Sequence, residues 1–405
     1  MPVTFTIRAR WILPVDRPPI DAGWIAVEDG VIASIGSGPA PVGSRDLGDV
    51  VVMPALVNAH THLELSWMAG RVPPAPSMDA WIRTLLELRR GAPPAPDVER
   101  QAALEAAAAM RATGTALVGD VSNTLGVVDV LTTAGLNGVV FHELIGFRDA
   151  HIAATLREAA ARAEESERAA RARGATVRVV LAAHAPYSVS PALIREIAAR
   201  RAGGPLTIHL GESAEEIEFL RHGTGAMRQL LQDLGAWTDD WHCPRSDPAE
   251  YIHRLGYLKR GLLAVHAVHL RDDALERLRA AGAFVVTCPR SNIRVGAGMP
   301  RVSHFYASGV PVAIGTDSLA SVETLNLFDE LAELRRIAPD VSAASLLESA
   351  TRVGAEALGF GATHGTITAG KRAALVAVDV PAAVGDVEEY LVGGVPSSAI
   401  HRLDD

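Results

Sequence analysis

The stretch Val51-Val52-Met53-Pro54-Ala55-Leu56-Val57-Asn58-Ala59-His60-Thr61-His62 sets an apolar run directly against two histidines one residue apart. A short continuous apolar run bounded by polar residues reads as a buried strand, and on extended backbone residues i and i+2 point the same way. His60 and His62 can therefore reach one cation at the usual metal–nitrogen distance of about 2.0 to 2.1 Å, or be satisfied by local hydrogen bonds. On this stretch alone both readings stay open. The rest of the chain separates them, because the same pattern recurs.

Counting Val51 to Val57 as the first, there are eight short apolar runs: Ala116 to Val121, Gly138 to Ile145, Val177 to Ala183, Leu206 to Leu210, Leu262 to Val268, Ala283 to Cys288 and Val310 to Ile314 complete the set. Between them lie Ala/Leu/Arg/Glu-rich stretches with helical spacing: Glu99 to Arg111, Ile152 to Arg173, Pro191 to Arg201, Glu215 to Leu234, Asp272 to Ala281 and Leu325 to Ile337. Alternating strand and helix signals predict parallel β-α units, and eight of them close most naturally into a (β/α)₈ TIM-like barrel, here over 53–361. Residues 237–258, with Trp237, Trp241, His242 and Tyr251, read as a polar loop inserted between strands five and six.

Outside that region the pattern changes. Val3 to Ala9, Gly23 to Val27 and Val31 to Ile35 are short alternating runs broken by Pro and Gly, and strand-like runs return at Ala373 to Val380 and Glu389 to Val392. Residues 1–52 and 362–405 are thus expected to form one small β-sandwich domain built from both termini. The fold class is α/β, a barrel with this appendage.

Composition narrows the function. A net charge of −9 disfavours nucleic acid and anionic membrane surfaces, each of which calls for a basic patch. No uninterrupted apolar stretch is long enough for a membrane span, and Met1 to Arg10 alternates like a strand instead of a signal peptide, so a cytoplasmic protein is expected. Cys243 and Cys288 form no Cys-x-x-Cys pair, which argues against a thiolate metal site. The chain holds only two lysines, Lys259 and Lys371.

In a barrel the chemistry sits at the C-terminal strand ends. Run five leads into His209-Leu210-Gly211-Glu212, run six into His266-Ala267-Val268-His269, and run eight into Gly315-Thr316-Asp317. Histidines and a carboxylate gathered there make a nitrogen–oxygen site for one divalent ion, Zn²⁺ foremost, with Fe²⁺ or Mn²⁺ as alternatives. His60, His62, His209 and Asp317 are the expected ligands. His62-Leu63-Glu64 matches the His-x-Glu of cytidine-type deaminases, but their Pro-Cys-x-x-Cys is missing. No nucleophile elbow or phosphate loop is present.

These motifs, from Pro54-x-x-Val57-Asn58-x-His60-x-His62 to Gly315-Thr316-Asp317, resemble the amidohydrolase superfamily over essentially the whole chain. Gly365-Thr366-Ile367-x-x-Gly370-Lys371 resembles the family's return into its small β domain, although Ala373-Ala374-Leu375 stands where Ala-Asp-Leu is common. Members with two metals carry a carbamylated lysine at the fourth strand end. Here that strand ends Ala183-His184-Ala185-Pro186-Tyr187, so the resemblance implies a mononuclear, deaminase-like site.

Within that branch the similarity is to adenosine and S-adenosylhomocysteine deaminases, and the set His62-Leu63-Glu64-Leu65-Ser66, His209-Leu210-Gly211-Glu212-Ser213 and Cys288-Pro289-Arg290-Ser291-Asn292 looks most like aminodeoxyfutalosine deaminases. What the resemblance implies is hydrolytic deamination of a purine nucleoside. The metal lowers the pKa of water, Asp317 accepts its proton, Glu212 protonates the ring nitrogen, and His266 stabilises the oxyanion. Glu64, Trp81, Glu143, His184, Tyr187, Ser291 and Asn292 are candidate substrate contacts by position. Adenosine, methylthioadenosine or S-adenosylhomocysteine deamination, guanine deaminase, triazine hydrolase and imidazolonepropionase activities are the alternatives, and a homodimer is among the assemblies the family uses. A catalytically silent binding protein on this fold would have lost a ligand or Glu212; all are present.

Overall fold

The computed structural model describes residues 4–148, 151–201 and 203–403. Eight parallel strands run in the expected order: Leu56–Thr61, Thr115–Ser122, Asn137–Leu144 and Val177–Ala183 form one four-stranded sheet, and Leu206–Leu210, Leu262–His266, Phe284–Thr287 and Val312–Ile314 form another. The two sheets meet at both edges. At one, Thr61 bridges Asp317 in parallel; at the other, the His209 N–H donates to the His184 carbonyl at 2.9 Å. Tyr257, fully buried, reinforces the second edge: its hydroxyl accepts from the Ala183 N–H and donates to the Thr207 carbonyl, both at 2.9 Å.

One apolar cluster draws Val57, Leu117, Phe141, Ala182, Leu263, Val286 and Ala313 from both sheets. These are alternate residues along their strands, so the period-2 pattern fills the space the strands enclose while their ends stay available for polar side chains. Two of the helices that cross between strands start at a side-chain cap. Ser190 accepts from the Leu193 N–H ahead of Pro191–Arg200, and Ser213 accepts from the Glu216 N–H ahead of Ala214–His222.

The chain ends share a third, seven-stranded sheet. Its order is Ile400–Arg402, Leu375–Asp379, Val50–Pro54, Thr4–Ile12, Ile20–Glu28 and Val31–Ser37, with Arg45–Asp46 beside Thr4–Ile12. Val3, where the first run was expected to start, lies outside the described residues.

Four expectations need correction. Val51 to Val57 is two strands, because Val50–Pro54 belongs to the terminal sheet and the chain crosses to the parallel strands at Ala55. Glu389 to Val392 is helical within Val387–Val392, since the Asp386 carboxylate accepts from the Glu388 and Glu389 N–H groups and so nucleates a turn. Glu215 to Leu234 is split into Ala214–His222 and Ala226–Asp233 by Gly223, whose φ of 70° ends the first helix. The 237–258 insertion carries the helix Pro248–Arg254, capped by Asp247.

Candidate active site

His60 and His62 leave the first parallel strand side by side, and His209 comes from the fifth. Their ligand nitrogens lie within 4.8 Å of one another, with His62 Nε2 and His209 Nε2 3.4 Å apart. Asp317 completes the group, its Oδ1 3.9 Å from His60 Nε2 and 3.7 Å from His62 Nε2. Burial holds His62 down to about 3 and His209 to about 4, and lowers His60 well below the usual imidazole value. Neutral imidazoles with free lone pairs follow. His60 Nε2 is buried with no hydrogen-bond partner among the described residues, a cost that a cation at the centre of the group removes. The residues fit one divalent ion.

A second trio, Glu143, His184 and His209, is also close enough to share an ion. His209 cannot serve both. Its Nδ1 donates to the His184 carbonyl at 2.9 Å, so that nitrogen carries the proton and Nε2 faces the His60–His62 side. Neither lysine approaches the cluster: Lys259 and Lys371 donate to the carbonyls of Ala198 and His364.

The backbone around the group is held tightly. Asn58 donates to Thr316 Oγ1 at 2.7 Å and accepts from the Thr316 N–H at 3.2 Å, tying the first strand to the last. Gly315 lets them approach, because a Cβ there would lie 2.7 Å from both Cβ and O of His60. His266 and Asp317 have φ of 73° and 62°, left-handed values that non-glycine residues adopt at a cost and that cluster at functional sites.

Glu212 Oε1 lies 3.4 Å from His266 Nε2 beside this group. Burial, with the nearby Asp317 carboxylate, raises Glu212 well above the usual carboxylate range, while burial lowers His266. Burial thus favours the uncharged form of each, an acid beside an imidazole. Asn292 Nδ2 lies 2.8 Å from His266 Nδ1 and donates to it, which puts the imidazole proton on Nε2, facing Glu212. Glu216, not anticipated from sequence, is buried and accepts from the Gly211 and Glu212 N–H groups at 3.0 and 3.1 Å, fixing the turn that presents Glu212.

A cavity of about 300 Å³ opens from the cluster. Glu64, Trp81, Glu143, His184 and Tyr187 line it. Ser291 and Asn292 do not; they stand behind it, with Ser291 Oγ donating to Asp317 Oδ2 at 2.5 Å and Asn292 on His266. Glu64 is engaged by Ser122 Oγ and the N–H groups of Asn123 and Thr124. Glu143 Oε1 is buried without a hydrogen-bond partner among the described residues, and burial raises the carboxyl to about 7. His184 Nδ1 meets Ser188 Oγ, leaving Nε2 toward the cavity side where Glu143 Oε1 lies 4.0 Å away. The Trp81 indole N–H is likewise buried and unpartnered among the described residues. Ile82, Leu85, Met227, Leu230 and Leu234 give the wall an apolar stretch, and Arg89 also lines it.

Known proteins share this sequence and architecture. The 5-methylthioadenosine/S-adenosylhomocysteine deaminase of Halobacterium salinarum is 32% identical over 372 residues, 87% of this chain and 78% of that protein. The aminodeoxyfutalosine deaminase of Deinococcus radiodurans is 32% identical over 334 residues, covering 79% and 76%. The crystal structure of an adenosine deaminase from Xanthomonas campestris with bound zinc superposes with a TM-score of 0.82 at 26% identity, covering 98% of this chain and 90% of that one. With the Amidohydrolase family profile matching residues 51–400, the chain belongs to the amidohydrolase family and is a hydrolytic enzyme acting on C–N bonds.

Proposed function

We propose that the protein is a metal-dependent hydrolytic deaminase of an adenine-type nucleoside, with aminodeoxyfutalosine as its foremost substrate. On this reading the eight parallel strands are one closed barrel over 53–361, and 1–52 with 362–405 are a small β domain. The observation that carries the reading is a buried carboxyl, Glu212, set beside a four-residue metal cluster with its Oε1 3.4 Å from His266 Nε2, where burial favours its protonated form. Deamination of a purine requires a proton on the ring nitrogen next to the carbon attacked, and a carboxyl held beside the metal cluster can supply it.

His60, His62, His209 and Asp317 would hold the ion, and when bound it supplies the Lewis acidity that makes water nucleophilic near neutral pH. The zinc in the related Xanthomonas structure favours Zn²⁺. Asp317, with one oxygen toward His62 and the other on Ser291, takes the proton of the attacking water. Glu212 delivers its proton to the ring nitrogen. His266, neutral and with Nε2–H directed inward by Asn292, donates to the oxygen that gains negative charge at the tetrahedral carbon. Asp317 then gives its proton to the amino group, which leaves as ammonia while the hydroxyl on the tetrahedral carbon becomes C=O and returns its proton to Glu212. The unpartnered Glu143 Oε1 and Trp81 N–H are poised for substrate hydroxyl and acceptor groups.

The second reading, deamination of methylthioadenosine or S-adenosylhomocysteine, is favoured by the name of the Halobacterium relative and uses the same residues. Either way Glu212→Gln keeps its metal and loses roughly 10² to 10⁴ in kcat, the range for a positioned general acid. Metal content and ammonia release on one sample test this, and unchanged turnover overturns it.

A further inference from the structure

Among the described residues Arg89 is the only arginine or lysine lining the cavity. It sits on the helix Met78–Gly91, on the face that also carries Trp81, Ile82, Leu85 and Leu86 into the cavity wall. Spacings of three and four residues place these side chains in one row. Among the described residues Arg89 makes no hydrogen bond and no ion pair, whereas its helix neighbour Arg83 is bound to Asp233 at 2.7 Å. The Arg89 side chain is half-buried, and its guanidinium is left to find an acceptor in solvent or in a bound ligand. Every other charged lining group is a carboxylate or a histidine, and the carboxylates Glu64, Glu143, Glu212 and Asp317 come from strand ends or the turns that follow them. The cavity thus has an acidic, metal-binding floor and a wall that is apolar except for one cation.

We infer that Arg89 is a specificity-determining residue that binds a carboxylate carried on an apolar 5′ substituent of the nucleoside. This rests on the deaminase reading and narrows its substrate class. A neutral 5′ group, such as the methylthio of methylthioadenosine, can use the apolar wall but leaves the guanidinium unpaired. A substituent ending in a carboxylate satisfies both, with the planar fork of arginine matched to the two oxygens. The carboxylate can be the benzoate of aminodeoxyfutalosine or the amino-acid end of S-adenosylhomocysteine; the same recognition serves either, and parallel assays separate them.

The test compares wild type, Arg89→Met and Arg89→Lys, all metal-loaded, on adenosine, methylthioadenosine, S-adenosylhomocysteine and aminodeoxyfutalosine. Losing a charge-assisted pair is expected to raise KM for a carboxylated nucleoside by roughly 10- to 150-fold, with kcat within about 3-fold. KM for methylthioadenosine should stay within about 3-fold, and Arg89→Lys should recover part of the loss. A parallel change on neutral and carboxylated substrates, or no change on either, overturns the assignment and leaves the deaminase reading standing. A metal-loaded wild type that releases ammonia from none of the four overturns the deaminase reading and this assignment with it.

Discussion

Replacing Tyr257 by phenylalanine isolates the seam between the two parallel sheets. The ring remains and no cavity forms, but the hydroxyl that accepts from Ala183 and donates to Thr207 is lost. Both backbone groups are then left in a region where Tyr257 has no solvent exposure. Each orphaned group costs about 1 to 3 kcal/mol, so a total of about 2 to 4 kcal/mol is expected after partial relaxation. An unfolding entropy of about 2.1 cal/mol/K per residue gives roughly 0.85 kcal/mol/K for 405 residues, so the melting midpoint should fall by about 2 to 5 °C. Calorimetry at fixed metal loading and scan rate reads this directly. A shift below about 1 °C would show that the hydroxyl does not secure the seam.

Two further outcomes follow from the packing around the site. Gly315→Ala drives a methyl group into His60, so the first and last parallel strands must separate; metal bound per chain should drop well below wild type, and full occupancy with normal turnover would contradict the close approach. Burial raises Glu216 to about 7 and Glu330 to about 8, so the folded chain keeps those protons to higher pH than the unfolded chain. Stability from these groups is then greatest below about pH 4.5 and is lost as pH rises toward 8. Denaturant midpoints of wild type should decline over that window more steeply than those of Glu330→Gln, and equal slopes would refute the assignment to Glu330.

The parallel strands were legible because their interiors are apolar on successive residues, and their ends because ionisable side chains follow at once, as His209 follows Leu206-Thr207-Ile208. The same continuity hid the break at Ala55: both strands there are buried, so nothing in the residue types marks the passage from one sheet to the other. At Val387–Val392 the apolar residues outweighed a capping signal, Asp386 ahead of two glutamates, that was present to be read. Ser291 and Asn292 were placed at the right strand end, but sequence does not say whether a side chain faces the cavity or the ligand behind it. Tyr257 acts through Ala183 and Thr207, distant along the chain, and Arg89 is set apart only by the cavity it lines, so no local pattern distinguishes them from other helix and loop residues. Glu216 is the nearest miss, since its carboxylate bonds back to Gly211 and Glu212.

The most direct test of the central claim is ammonia release by the zinc-loaded protein from aminodeoxyfutalosine, adenosine, methylthioadenosine, S-adenosylhomocysteine and guanine, with metal content measured on the same preparation. The account predicts release from an adenine-type nucleoside, aminodeoxyfutalosine foremost, with kcat/KM in the range of about 10⁴ to 10⁸ M⁻¹s⁻¹ and about one metal ion per chain. Fully loaded protein that releases no ammonia from any of them would contradict it.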